Sequence, residues 1–265
     1  MQRNRRLRQR RAGSGSGRAA LAAATLLAGA AHAQGTDPAW RDLESRIQYG
    51  YYTEDTAALR AVGATLGDAD THDKLRGYYA ALLDWRLALL AARPGTPTRG
   101  PSAAQLIQRC VSDVDSALAL AAEFADALAL RSACLSSALT ASAMHAPFAA
   151  QRARKDLARA LQLAADNPRV LLLDALSDYE LADVKGGNRE NALPKLRHAV
   201  AAFEAERSGP GQLPGWGAAE AWLLLGRDLL DHGDPLGARD ALEHALLIAP
   251  QFTAARRLMA QITAG

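Results

Sequence analysis

Two cysteines, one acid–serine pair, a cluster of tyrosines and a scatter of histidines are the residues of this chain whose types could do chemistry. Cys110 and Cys134 lie in apolar runs of helical spacing. Ile107, Cys110, Val114 and Ala117 form one run, and Leu130, Cys134, Ala138 and Ala141 the other. A turn near residues 121–124 sets the two cysteines level across a helical hairpin. In an oxidising compartment such a pair can form a disulfide. It would close a loop of about 25 residues and stabilise by about 3 kcal/mol on the chain-entropy model. Two buried thiols used as packing residues are the plainer alternative. Two cysteines without a nearby histidine pair are too few ligands for zinc, so no metal is expected.

The histidines that follow residue 33 are His72, His145, His198, His232 and His244, and none makes an i, i+4 pair with an intervening acid. No G-x-S-x-G, phosphate-binding loop or dinucleotide signature is present, and no cofactor is expected. Glu44-Ser45 resembles the catalytic Glu-Ser pair of lytic transglycosylases, which are exported and built on α-superhelices. The Gly-Leu-Met-Gln type of motif that follows in that family is missing here. Glu44 then reads as a residue of an ordinary amphipathic helix, and no catalytic residue is assigned. Five of the six tyrosines fall between Tyr49 and Tyr79. Helical spacing puts Tyr51, Tyr78 and Trp85 in the core. Tyr49, Tyr52 and Tyr79 point elsewhere and are candidates for an aromatic contact patch.

The first 33 residues differ from the rest. A basic start, MQRNRRLRQRR, is followed by an apolar run from Ala19 to Ala31 and then AHA before Gln34. That is the order of a secretory signal, with cleavage expected after Ala33 and the mature protein in the periplasm. The apolar run of 13 residues is shorter than the roughly 20 that span a bilayer, so the mature chain is expected to carry no transmembrane segment. This segment holds seven arginines and no acid, which leaves 24 basic against 28 acidic residues beyond it. A mature net charge of −4 gives no electrostatic case for nucleic acid, which needs a basic face or stripe.

The elements that must position these residues are helices. Alanine and leucine dominate, aromatics are 5%, and apolar residues recur at spacings of three and four. Residues 34–92 read as an N-terminal helical segment of three helices, with Thr53 as cap of the second and Asp70 or Thr71 as cap of the third. Residues 93–102, RPGTPTRGPS, read as a Pro/Gly-rich linker. Beyond it a pattern repeats. Ala238, Leu242 and Ala245 share their spacing with Cys110, Val114 and Ala117, with Ala153, Leu157 and Ala160, and with Ala192, Leu196 and Ala199. The third members are 43, 39 and 46 residues apart, the period of stacked helical pairs.

Trp222, Leu225, Gly226, Leu229, Ala238, Leu242, Ala245 and Pro250 match in type and spacing the tetratricopeptide repeat, which 219–252 resembles over a 34-residue unit. The resemblance extends, less closely, to 167–202 and 103–160. It implies an all-α, right-handed solenoid of antiparallel helix pairs over 103–265, with Gln251 to Ala264 as the capping helix. Pro194 departs from the pattern unless Asn191 begins its helix. The small residues have their own physics. Gly226 and Ala238 on opposite arms let two helix axes approach at the near end of about 8–10 Å, and each pair leaves an apolar face that a neighbour must cover.

The first helix of each pair lines the concave face of such an array. That places Glu220, Leu223, Arg227 and Leu230 in a groove, with Arg169, Leu173, Ser177 and Glu180 beside them. The expected function is an exported scaffold that binds a protein or peptide partner there, without catalysis. A cell-wall enzyme or enzyme accessory is the alternative.

Overall fold

The computed structural model describes residues 36–67, 70–93, 100–141, 146–181, 188–207 and 212–264. The expected signal segment and its cleavage site lie outside these residues, as do His145 and residues 94–99 of the Pro/Gly-rich stretch. Eleven helices and no strand are found among the described residues. They are α1 (Thr36–Tyr52), α2 (Thr56–Leu66), α3 (Lys74–Ala91), α4 (Ala103–Leu120), α5 (Ala125–Ala141), α6 (Ala146–Leu163), α7 (Pro168–Glu180), α8 (Arg189–Arg207), α9 (Ala218–Asp231), α10 (Pro235–Ile248) and α11 (Thr253–Ala264).

Short polar residues start most of these helices by accepting orphan amides. Ser102 and Gln105 close a capping box on α4. Asn167-Pro168 and Asp234-Pro235 open α7 and α10 with a cap followed by a proline whose missing N–H costs nothing there. Three caps differ from expectation. Asp55, not Thr53, caps α2, while the Thr53 hydroxyl donates 2.8 Å to the Tyr49 carbonyl at the end of α1. Asp73, not Asp70 or Thr71, caps α3. Asn188 accepts the Glu190 amide at 3.1 Å, so α8 begins before Asn191 and Pro194 lies inside it.

Helices α3, α5, α7 and α9 lie side by side and run the same way. Phe124, just before α5, packs 5.1 Å from Tyr78 early in α3, and Ser137 late in α5 accepts from Trp85 further along α3 at 3.2 Å. Asn167 and Arg169 at the start of α7 donate to Asp126 at the start of α5, at 2.9 and 2.8 Å. At the start of α9, Gly217 lies so close to Leu172 of α7 that a Cβ would come within 3.3 Å of it, and at the far ends Tyr179 donates to Asp231 at 2.7 Å. Each of these inner helices packs along the helix that follows it. Gly226 is the close approach of α9 to α10, where a Cβ would lie 3.0 Å from Leu242 and 3.1 Å from the Ala238 carbonyl. Gly77 plays that part between α3 and α4, where a Cβ would meet the Asp113 carbonyl oxygen at 2.6 Å.

The succession of packed helix pairs therefore begins earlier than the sequence pattern. Ala117, Ala160, Ala199 and Ala245 are all buried and all fall on the second helices, α4, α6, α8 and α10. The first helix of the first pair is α3, on the other side of 93–102. The helices on either side of that stretch pack along each other. One apolar core runs from Trp40 to Ala241 and includes residues of both. A second cluster joins Tyr52 of α1 to Phe252 and Ala255 around α11. The chain around α11 thus meets the end of α1, and Arg257 of α11 donates to Glu54 at 2.6 and 2.8 Å.

A disulfide joins Cys110 to Cys134, with Cα atoms 6.3 Å apart. It ties the second helix of the first pair to the first helix of the second pair. Arg131 on α5 reinforces the same junction, reaching Asp115 of α4 at 2.7 Å and Asp156 of α6 at 2.6 and 2.7 Å. No helix among the described residues is long and apolar enough to cross a membrane.

Candidate functional site

A cleft of about 200 Å³ opens between α3, α7 and α9. Its floor is an ion pair. Arg86 of α3 bonds to Glu220 of α9, with side chains only 4% and 10% exposed. The Arg86 guanidinium also stacks on three rings, 4.2 Å from the centroid of Tyr51 and 4.8 Å from those of Trp85 and Trp216. Desolvating two charges is costly, and here the rings and a second bond offset it. Tyr52 donates its hydroxyl to Glu220 at 2.6 Å. Burial, then the adjacent carboxylate, holds the Tyr52 hydroxyl well above its usual pKa, so it stays a donor.

Leucines 89, 172, 173, 176, 223 and 224, with Phe252 and the three rings, make the walls. Three charged residues occupy the rim. Arg93, just past α3, pairs with Glu54, which also holds Arg257. Burial alone would raise the Glu54 pKa, but the two guanidiniums outweigh it and hold the carboxyl below its usual range. Glu54 has φ +59°, a left-handed conformation uncommon for a residue with a side chain. Glu180 at the end of α7 touches water yet stands within the cleft's walls. The resulting loss of solvation raises its pKa, against the pull of Arg227. Arg227 is exposed and, among the described residues, makes no hydrogen bond or ion pair. Three cations and two acids line the cleft.

Of the residues expected in the groove, Glu220, Leu223, Arg227, Leu173 and Glu180 line this cleft. Leu230 and Ser177 are half-buried and lie outside it. Arg169 is a correction. It is 4% exposed, bonds Asp126 at 2.8 Å and grips Glu206 at 2.6 and 2.9 Å, so it is a core clamp between α5, α7 and α8 rather than a groove residue. Glu220 faces the cleft but its carboxylate is already paired. Trp222, on the opposite side of α9, stacks on His244 at 4.3 Å.

The aromatic patch is also corrected. Tyr49 is 57% exposed, but Tyr52 and Tyr79 are buried. Tyr52 packs on Phe252, with ring centroids 4.4 Å apart, and bonds Glu220 of α9, so it faces inward. Tyr79 stacks on Trp40 at 5.6 Å and donates to Glu44 at 2.7 Å. Glu44 itself is 6% exposed and accepts the Gly215 amide at 2.9 and 3.1 Å. Its carboxylate fastens α1 to the chain entering α9 and presents no face to a substrate.

Sequence reasoning missed Trp85, Arg86, Arg93, Trp216 and Phe252 as cleft residues. The tandem Trp85-Arg86 was a usable signal, since an arginine beside an indole suits a cation–π contact. Among the described residues no histidine, cysteine or methionine lines the cleft. Tyr51, Glu180 and Glu220 are its only lining groups with an oxygen able to ligate a metal, and Glu220 is committed to Arg86.

A second, larger cleft of about 1350 Å³ lies on the other side of α3, against α2 and α4. Arg60, Arg76, Arg109, Asp84 and Asp113 line it. Asp84 accepts from Arg109 at 2.7 Å. Burial, then the nearby Asp84 charge, pushes the Asp113 pKa up to about 6.

No protein-family model matches the chain, and no curated protein matches it. Among solved structures, the chain is similar to the HusA haemophore from Porphyromonas gingivalis, with 23% sequence identity and a TM-score of 0.53. The match covers 78% of this chain and 96% of that one. At this identity the likeness speaks for the helical fold alone.

Proposed function

We propose that this protein is an exported binding protein, not an enzyme, that carries a flat and largely apolar molecule in the cleft between α3, α7 and α9. The proposal includes the periplasmic location expected from residues 1–33 and the right-handed winding implied by the tetratricopeptide resemblance. One observation carries it: four aromatic rings and six leucines converge on a cleft whose rim holds an arginine without a hydrogen bond or ion pair among the described residues. Aromatic walls suit a planar ligand, and a few placed polar groups orient it.

The similar solved structure, a haemophore, supplies the first candidate, a tetrapyrrole. The cleft volume of about 200 Å³ is below the roughly 300–1,000 Å³ of pockets that enclose a whole ligand. It would therefore hold one edge of a tetrapyrrole, chiefly by apolar contact and stacking. Titrating ferric haem and iron-free protoporphyrin into the mature protein tests this, because Trp85 and Trp216 in the wall report binding by fluorescence quenching. Saturable 1:1 quenching by both is expected. Quenching that never saturates would remove the proposal.

A protein or peptide partner is the second reading, and a different surface favours it. Phe148 on α6 and Leu236 and Leu247 on α10 are 81%, 76% and 79% exposed. A periplasmic protein retained stoichiometrically by the wild type, and lost with Leu236→Lys/Leu247→Lys, would support a partner on the outer helices. Retention of peptidoglycan alone would favour the cell-wall alternative.

A further inference from the structure

The cleft has a floor and a mouth. Helices α7 and α9 run parallel, from the contact of Leu172 with Gly217 to the bond between Tyr179 and Asp231. Arg86 and Glu220 mark the floor. Arg227 stands seven residues beyond Glu220 on α9, about 10 Å further along the helix at 1.5 Å per residue. Glu180 stands eight residues beyond Leu172 on α7, at the same end. Charged groups thus sit at two levels, with leucine and aromatic wall between them.

The two levels differ in what they can still bind. At the floor, Arg86 is caged by three rings and paired with a carboxylate that a tyrosine hydroxyl also holds. An incoming acid would have to break that set while itself losing water. At the mouth, Arg227 is exposed and without a partner among the described residues. Arg93 is shared with Glu54. Glu180 is the acid whose charge acts on Arg227, and the two do not form a close pair.

Resting on the binding role proposed above, we infer that the ligand is an amphipathic acid that enters apolar edge first and that Arg227 receives its carboxylate at the mouth. An arginine fork matches a carboxylate in two parallel bonds, and such charge-assisted bonds are the strong ones. Glu180 then acts as the opposing charge that weakens acids of every kind. The two residues make opposite predictions at one rim: loss of Arg227 weakens an acid, and loss of Glu180 strengthens it.

The test compares protoporphyrin with its dimethyl ester, using fluorescence quenching of the mature protein. The wild type should favour the acid. Arg227→Gln should lower affinity for the acid by about ten- to a hundredfold, the worth of a hydrogen bond to a charged group, and leave the ester unchanged. Glu180→Gln should raise affinity for the acid alone. Both side chains are exposed, so unchanged melting temperatures will show that each variant is folded. Equal loss of acid and ester in Arg227→Gln, or loss of neither, overturns the assignment while the cleft remains a binding site. A wild-type protein that binds neither probe overturns the cleft and the assignment together.

Discussion

Helix α3 separates two clefts of opposite character. On one side Trp85, Arg86 and Leu89 face aromatic and leucine walls. On the other Ala80, Leu83, Asp84 and Leu87 face a wider space lined, among the described residues, by three arginines and two aspartates and by no aromatic ring. Each side has an ion pair, and the pairs differ in access to water. Arg86–Glu220 is 4% and 10% exposed, whereas Arg109 of the pair with Asp84 is 52% exposed. Water reaches Arg109 and screens it, although Asp84 is itself only 11% exposed, so the second pair is held less tightly than the first. The first is strong only as a complete set, because removing one partner strands a buried charge. A site that must hold a ligand by shape needs the rigid kind of floor.

The sharpest way to break this comparison is to remove one partner on each side. Glu220→Ala should cost about 3–5 kcal/mol, since it leaves Arg86 buried without a counter-charge and Tyr52 without the nearer of its two acceptors, Glu220 at 2.6 Å and Gln48 at 3.3 Å. Arg109→Ala should cost less, about 1–3 kcal/mol, since it leaves the buried Asp84 carboxyl without its partner. Urea denaturation of the two variants reads both. Equal losses would mean that the two floors are energetically alike.

A smaller effect is expected where α3 meets α4 behind the wider cleft. Alanine gains about 1 kcal/mol of helix propensity over glycine, so steric fit decides the sign. A Cβ at Gly77 would meet a backbone oxygen at 2.6 Å, while at Gly226 it would meet the Leu242 side chain at 3.0 Å and the Ala238 carbonyl at 3.1 Å. Gly77→Ala should therefore lose about 1–3 kcal/mol net, and Gly226→Ala should come close to balance. Thermal melts in which Gly226→Ala is the worse variant would misplace the tighter contact.

The smallest effect is a pH dependence at Asp113 in the wider cleft. Asp113 has its folded pKa raised to about 6 by burial and by Asp84, with Arg109 and Arg76 acting against them. Its unfolded pKa is about 3.9, so the fold favours the neutral acid. That contribution is present below pH 4 and lost as pH rises through about 6. Asp113→Asn keeps the group neutral, so its melting temperature should exceed the wild type's at pH 8 and converge with it near pH 4. A difference that does not change with pH would assign the effect to packing.

Much of the array was legible in the sequence. Small residues at fixed spacing marked α4, α6, α8 and α10, because only small side chains permit close helix approach. The first helix of the first pair was not legible. Ten Pro/Gly-rich residues interrupt that pair, and Gly77 lies where a local pattern gives no reason for a glycine. The cleft was half legible. Glu180, Leu173, Leu223 and Arg227 followed from which helix of each pair faces inward, but α3 carried no mark that it would stand beside α9.

The sequence alone determined helix content, the apolar packing stripes and the level at which Cys110 and Cys134 meet. All of these depend on residues within one helix or one hairpin, where 3.6-residue periodicity and cap chemistry act. Tertiary structure decided that Tyr52 and Tyr79 are buried, that Arg169 clamps the core, and that Arg86 and Glu220 form the floor of a cleft. The bonds of Tyr52 to Glu220, Arg86 to Glu220 and Glu44 to Gly215 join residues 168, 134 and 171 positions apart. Periodicity tells a helix which face to bury. It does not say which neighbour will cover that face, and here the neighbour came from the other end of the chain.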